Sequence, residues 1–124
     1  MKIVVFGGRA YDKKKVYQSL SEAFSEGGTI NRGMGYTVAD IAELVHGAYG
    51  NTDWAADEWG KDFVPVVTPF KPDWDTYGFP AGPIRNQQMV DYGPDLALEF
   101  PGGKGTRDMH NRCVKNDIPI VRLY

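Results

Sequence analysis

Leu96-Ala97-Leu98-Glu99-Phe100-Pro101-Gly102-Gly103-Lys104-Gly105-Thr106 carries the decisive change of pattern in this chain. Leu96 to Phe100 is a short, mostly apolar run of strand length, as expected of a strand covered on both faces. A proline and three glycines then interrupt it. From about Thr106 to Lys115 the spacing predicts a helix that places Met109 and Cys113 on one face. Strand, glycine-rich turn and helix, in that order, form the repeating unit of a parallel α/β sheet.

Working outward, the same unit recurs. Lys2 to Phe6 is a β-branched apolar run ending in Gly7-Gly8, and Asp12 can cap a helix in which Val16, Leu20 and Phe24 recur. Ser25 to Gly35, with four glycines, reads as a loop. A strand centred on Ile41 to Val45 precedes the turn His46-Gly47. Thr52 or Asp53 then caps a helix reaching about Phe63, with Trp54 and Trp59 assigned to the core. Val64 to Thr68 is a further strand, and Pro69 to Pro83 a loop rich in proline, aspartate and aromatics. Ile84 to Tyr92 is a helix ended by Gly93-Pro94, and Ile118 to Leu123 a last strand. The pattern predicts one domain over residues 1–124: a Rossmann-like, doubly wound α/β fold of about five mostly parallel strands with helices on both faces. In such sheets ligands sit beyond the strands' carboxyl ends, where the turns at Gly7-Gly8-Arg9, His46-Gly47 and Gly102-Gly103 should converge.

Composition narrows the function. With 14 basic against 16 acidic residues and a formal charge of −2, the chain lacks the basic excess that non-specific nucleic-acid binding requires. No apolar run approaches the roughly 18 to 20 residues of a membrane span. The single cysteine, Cys113, excludes an internal disulfide, and with a short apolar N-terminus it predicts a cytoplasmic protein. Two isolated histidines and one cysteine make no metal-ligand spacing, so neither a metal nor another cofactor is expected.

Phe100 to Thr106 carries the strongest functional signal. Glycines let backbone approach a phosphate, and unpaired N–H groups at the following helix start favour an anion. The plain alternative is a tight turn with a capping glycine. Thr106 would cap that helix or give its hydroxyl to a phosphate oxygen. Arg9 points a guanidinium either into the crevice or into solvent. In Ala81-Gly82-Pro83-Ile84-Arg85-Asn86, Arg85 falls in a predicted first helical turn, where a cation opposes the dipole unless an anion is near. His46 is either structural or a contact to ligand, and His110 reads as surface. The loop aromatics Trp74, Tyr77 and Phe79 can stack on a base, form a subunit contact or cover the sheet.

Taken together, these pieces resemble the SLOG superfamily, within its YspA-like branch. The resemblance spans nearly the whole chain. It is carried by Val5-Phe6-Gly7-Gly8-Arg9, His46-Gly47 with Asp53 and Ala55 to Trp59, Asp73-Trp74-Asp75 with Tyr77-Gly78, Ala81 to Asn86, and Asp95 to Thr106. It implies a Rossmann-like domain for nucleotides or nucleotide-derived signals. Relatives include the LOG phosphoribohydrolases, which release a base from a nucleoside monophosphate, the molybdenum-cofactor carrier proteins, the DprA single-strand DNA-binding proteins and sensors of ADP-ribose-derived signals. Self-association into a homo-oligomer is also implied. Two departures stand out. Where the LOG hydrolases carry a catalytic glutamate after the Pro-Gly-Gly-x-Gly-Thr motif, this chain has Met109, which can neither handle a proton nor stabilise an oxocarbenium centre. Where branch members usually carry an arginine before the glycine, it has Tyr49.

The expected function is therefore binding of a nucleotide-type small molecule by a sensor, carrier or sequestering module. The candidate ligand-binding residues are Gly7, Gly8, Arg9, His46, Gly47, Tyr49, Asp53, Arg85, Asn86, Pro101, Gly102, Gly103, Lys104, Gly105 and Thr106. The alternative is a phosphoribohydrolase with Arg85 and Asp108 as catalytic pair, and a third possibility is single-strand DNA binding.

Overall fold

The computed structural model describes residues 1–124. Its strands β1 (Lys2–Phe6), β2 (Glu43–His46), β3 (Val66–Pro69), β4 (Leu96–Glu99) and β5 (Ile120–Arg122) form one sheet. All neighbours pair in parallel, in the order β3-β2-β1-β4-β5. This is a Rossmann-like α/β fold. The helices are α1 (Lys13–Phe24), α2 (Thr29–Met34), α3 (Asn51–Phe63), α4 (Trp74–Tyr77), α5 (Ala81–Asp91) and α6 (Lys104–Lys115). No helix is long and apolar enough to cross a membrane.

Alternation along the central strands divides the core into two layers. Ile3 and Val5 of β1, with Leu96 and Leu98 of β4, face α1 and α3, where Val16, Leu20, Phe24, Ala56 and Trp59 close over them. Val4, Phe6 and Ala97 face the other way, against Met89 and Val90 of α5 and Met109 and Cys113 of α6. Burial on both faces explains why β1 and β4 read as unbroken apolar runs. The edge strands β3 and β5 are only three or four residues long and partly exposed.

Asp12 caps α1, accepting from the amides of Lys14 and Lys15 at 2.8 and 3.3 Å. Other boundaries differ from the sequence pattern, each for a physical reason. The stretch read as a glycine loop contains α2, which is anchored by the buried Ile30 and ended by Gly35 at φ 77°. A single 3-10 turn, Val38–Asp40, precedes β2, with Thr37 and Asp40 capping it reciprocally. The cap of α3 is Gly50, not Thr52 or Asp53. Those two side chains are engaged elsewhere: the Thr52 hydroxyl donates to Gly8 O at 2.7 Å, and Asp53 accepts from the Tyr49 amide at 3.1 Å. Within the Pro69–Pro83 segment, Asp73 caps the short α4 and α5 begins at Ala81. Arg85 thus lies a full turn into α5 rather than in its first turn. Helix α6 begins at Lys104, with Gly103 as its cap, so Thr106 is inside the helix and does not cap it.

Trp54 is a further correction. It is 41% exposed, its ring edge-on to His46 at 5.5 Å, whereas Trp59 is fully buried. His110 is not free surface either, since its Nδ1 lies 2.5 Å from the buried Glu99 carboxylate. Trp59→Ala is expected to destabilise the fold by about 3–5 kcal/mol, and Trp54→Ala by about 1 kcal/mol or less. The shift of the urea midpoint for each variant measures the difference.

Candidate functional site

Strands β1 and β4 are neighbours from which the chain departs to opposite faces of the sheet, and this divergence opens a crevice beyond their carboxyl ends. A cavity of about 340 Å³ occupies that place, within the roughly 300–1,000 Å³ typical of small-molecule sites. Four segments wall it. The β1–α1 turn supplies Gly7, Gly8 and Arg9. The β2–α3 turn supplies Tyr49, and the first turn of α3 supplies Asp53. Helix α5 supplies Arg85, Asn86 and Met89, and the start of α6 supplies Gly103, Lys104, Gly105, Thr106 and Met109.

The two glycine turns fit together because they lack side chains. A Cβ on Gly8 would sit 2.7 Å from the Pro101 carbonyl, the oxygen to which the Gly8 amide donates at 2.7 Å. Next to it, the Phe100 amide donates to Phe6 O at 2.9 Å, so the β1–β4 ladder continues past both strands. On the cavity side, a Cβ on Gly103 or Gly105 would meet nothing within 4 Å, so the backbone there is open to approach. The main-chain N–H groups of Gly7, Arg9, Gly103, Lys104, Gly105 and Thr106 have no acceptor in the protein. Several face a common space at the positive end of α6, an arrangement suited to an anion.

Arg85 reaches the same space from α5 and is only 9% exposed. Its Nε donates to Asn86 Oδ1 at 3.0 Å, and its Nη1 donates to the Gly47 carbonyl. Its Nη2 has no protein acceptor. Gly47 must be glycine for this seat to exist, because a Cβ there would lie 2.5 Å from Arg85 Nη1. Burial pulls the guanidinium below its ordinary pKa, while Asp53 and Asp108 favour its charged form.

Asp53 is 5% exposed. Burial pushes its carboxyl up to about 7, against the opposing pull of Arg85 and of the Tyr49 and Gly47 amides. Above it, Tyr49 is held on a tight turn, with Ala48 at φ 54° and Gly50 at φ 89°. The Tyr49 hydroxyl accepts from Arg9 Nη1 at 3.2 Å, and its ring stands edge-on to Trp74 at 5.5 Å. An aromatic and guanidinium rim therefore overlies a floor made by Phe6, Met89 and Met109.

Several of the residues expected at the site are not on the cavity wall. His46 is fully buried and points away: its Nδ1 accepts from the Ala48 amide at 3.0 Å, and its Nε2 is 2.9 Å from Asp57 Oδ1. Burial keeps its pKa below the usual value, with Asp57 pulling the other way, so the ring is a neutral strut for the Tyr49 turn. Gly47 supports Arg85, and Pro101 supports Gly8. Gly102 is wedged between the two turns, where a Cβ would lie 2.7 Å from Gly8 N and closer still to Thr106 Oγ1, so it supports the cavity wall without lining it. Asp108 does not pair with Arg85 in the cavity. It accepts from Asn86 Nδ2 at 2.9 Å and from Arg112 Nε at 2.8 Å, and although partial burial raises its pKa, those two bonds hold it below the ordinary carboxylate range. The acidic group in the cavity is Asp53. Sequence reasoning missed Phe6, Met89 and Met109 as lining residues. Met89 follows Arg85 by four positions and Met109 follows Thr106 by three, and this helical spacing was the available signal.

The Asp53 carboxyl makes a stability prediction with a definite sign. Its folded pKa, about 7, exceeds the ordinary aspartate value of 3.8, so the folded state holds the proton more tightly than the unfolded one. Stability is then lost as pH rises from about 4 to about 7 and is level above that, a cost on the order of a few kcal/mol. Asp53→Asn removes the charge. Its melting temperature should match that of the wild type near pH 4 and exceed it increasingly up to pH 7. Parallel pH profiles for the two proteins would contradict this.

No family model matches the chain, and no solved structure matches it significantly. Among curated proteins it is 36% identical over 89 residues to the Gene 61 protein of Mycobacterium phage D29, an alignment covering 64% of this chain and 70% of the phage protein. At that identity and coverage, the chain belongs to the family of the phage Gene 61 protein.

Proposed function

We propose that the protein binds a nucleotide or nucleotide-derived phosphate compound, and acts as a sensor, carrier or sequestering module of SLOG type. The observation that carries this reading is the convergence of unpaired amides from Gly103 to Thr106 with the free Nη2 of the buried Arg85 on one cavity at the sheet's switch point. A phosphate there accepts from the α6 amides and the Thr106 hydroxyl, while Arg85 and Arg9 supply charge-assisted bonds. Tyr49, backed by Trp74, offers a ring edge or face to a base at the rim. The apolar floor of Phe6, Met89 and Met109 suits the uncharged part of such a ligand.

Binding without hydrolysis is favoured over phosphoribohydrolase activity by two particulars. Met109, at the position of the LOG hydrolases' glutamate, lines the cavity with a group that cannot transfer a proton. Asp108, the nearest alternative by sequence, is engaged by Asn86 and Arg112. A homo-oligomer would use the exposed loop aromatics, where Phe79 is 97% and Tyr77 47% exposed.

Calorimetric titration with nucleoside 5′-monophosphates and ADP-ribose tests the reading. Saturable binding is expected in the wild type, weakened about tenfold to a hundredfold in Arg85→Met, the range for losing a hydrogen bond to a charged group. If no compound binds, or if Arg85→Met binds as well as the wild type, the reading fails. Release of free base during incubation would instead favour the hydrolase.

A further inference from the structure

Arg85 and the α6 amides account for an anion, but they leave one polar group of the cavity unexplained. Asp53 is 5% exposed and lines the cavity. Its Oδ2 accepts from the Tyr49 amide at 3.1 Å. The Gly47 amide also draws on the carboxylate, yet no protein donor makes a hydrogen bond to Oδ1 within 3.5 Å. No sealed side-chain oxygen or nitrogen in the molecule lacks a partner, so Oδ1 is open, and the space it opens to is the cavity. The site thus presents two free polar atoms of opposite kind on nine-tenths-buried side chains, the donor Arg85 Nη2 and the acceptor Asp53 Oδ1.

We propose that Asp53 Oδ1 accepts a hydrogen bond from a sugar hydroxyl, so that the ligand is a phosphorylated ribose compound rather than a bare phosphate or its deoxy counterpart. This rests on the phosphate-binding reading above. A bare anion satisfies Arg85 and leaves Asp53 desolvated and repelled. A cationic ligand satisfies Asp53 but meets Arg9, Arg85 and Lys104, three positive groups lining the same space. A ligand carrying a phosphate and a neutral hydroxyl satisfies both. The cost of keeping a carboxylate in this position, which Asp53 bears in its raised pKa, is then offset by a bond formed only with the correct ligand. A site whose buried acceptor is left unpaired discriminates strongly against the analogue lacking the donor.

Titration at pH 8, where Asp53 is ionised, separates the possibilities. The probes are inorganic phosphate, ribose 5-phosphate, 2-deoxyribose 5-phosphate, adenosine 5′-monophosphate and its 2′-deoxy and 3′-deoxy forms. The wild type should bind ribose 5-phosphate more tightly than inorganic phosphate and should bind one of the deoxynucleotides about tenfold to a hundredfold more weakly than its parent. In Asp53→Ala that ratio should fall to near one while binding of the deoxy compound persists. The wild-type comparison stands even if the variant is unstable. Equal affinity for parent and both deoxy forms overturns the proposal and leaves phosphate binding intact. A ratio unchanged in Asp53→Ala also overturns it. Absence of binding by every probe overturns both this proposal and the reading on which it rests.

Discussion

The site depends on one contact: the Gly8 amide donating to the Pro101 carbonyl at 2.7 Å, beside the Phe100 to Phe6 bond at 2.9 Å. These two bonds hold the turns after β1 and β4 against each other beyond the last paired residues, Phe6 and Glu99. Because both turns are glycine where they touch, their backbones approach without a side chain between them. The α6 amides are then turned toward space that β1 and its turn leave open. The Thr52 hydroxyl bond to Gly8 O, together with the Asn51 amide bond to Arg9 O at 2.9 Å, fastens the start of α3 to the same turn. Three segments distant in sequence are thereby fixed around one cavity.

That rigidity is used to hold charge where water is scarce. Arg85 and Asp53 are both nine-tenths buried or more, and burial acts on each against its ionised form. Neither is in a compact ion pair: each uses part of its hydrogen-bonding capacity on backbone, the Gly47 carbonyl for Arg85 and the Tyr49 amide for Asp53, and keeps one atom free. A pair joined at both ends would be more stable and would have nothing left for a ligand. Desolvated groups with free valences are a cost to the folded protein, one that the proposed ligand would offset.

The neutral His46 shows the opposite arrangement, in which every valence is spent. Its ring is locked between the Ala48 amide and Asp57, and Lys61 takes the other Asp57 oxygen at 2.8 Å. This braces a turn in which Ala48 holds a left-handed conformation unusual for a residue with a Cβ. The histidine acts on the site only through the position it gives Tyr49.

The succession of short apolar runs, glycine turns and helical spacings in the sequence determined the fold class by itself, because a strand buried on both faces leaves a near-continuous hydrophobic signature and cannot be confused with an alternating one. It also marked Gly7 to Arg9, Arg85 and Gly103 to Thr106 as anion-binding candidates, since glycine and arginine carry their chemistry in the residue type. The same pattern could not show that the Gly27–Gly35 region contains α2, whose helix is stabilised by burying Ile30 rather than by local preference. Nor could it separate the two aspartates, Asp53 and Asp108, or the two tryptophans, Trp54 and Trp59, whose types are identical and whose surroundings are not. Which carboxylate faces the cavity, and which ring the core, was decided only in the tertiary structure, because burial and hydrogen-bond partners come from chain segments far apart in sequence.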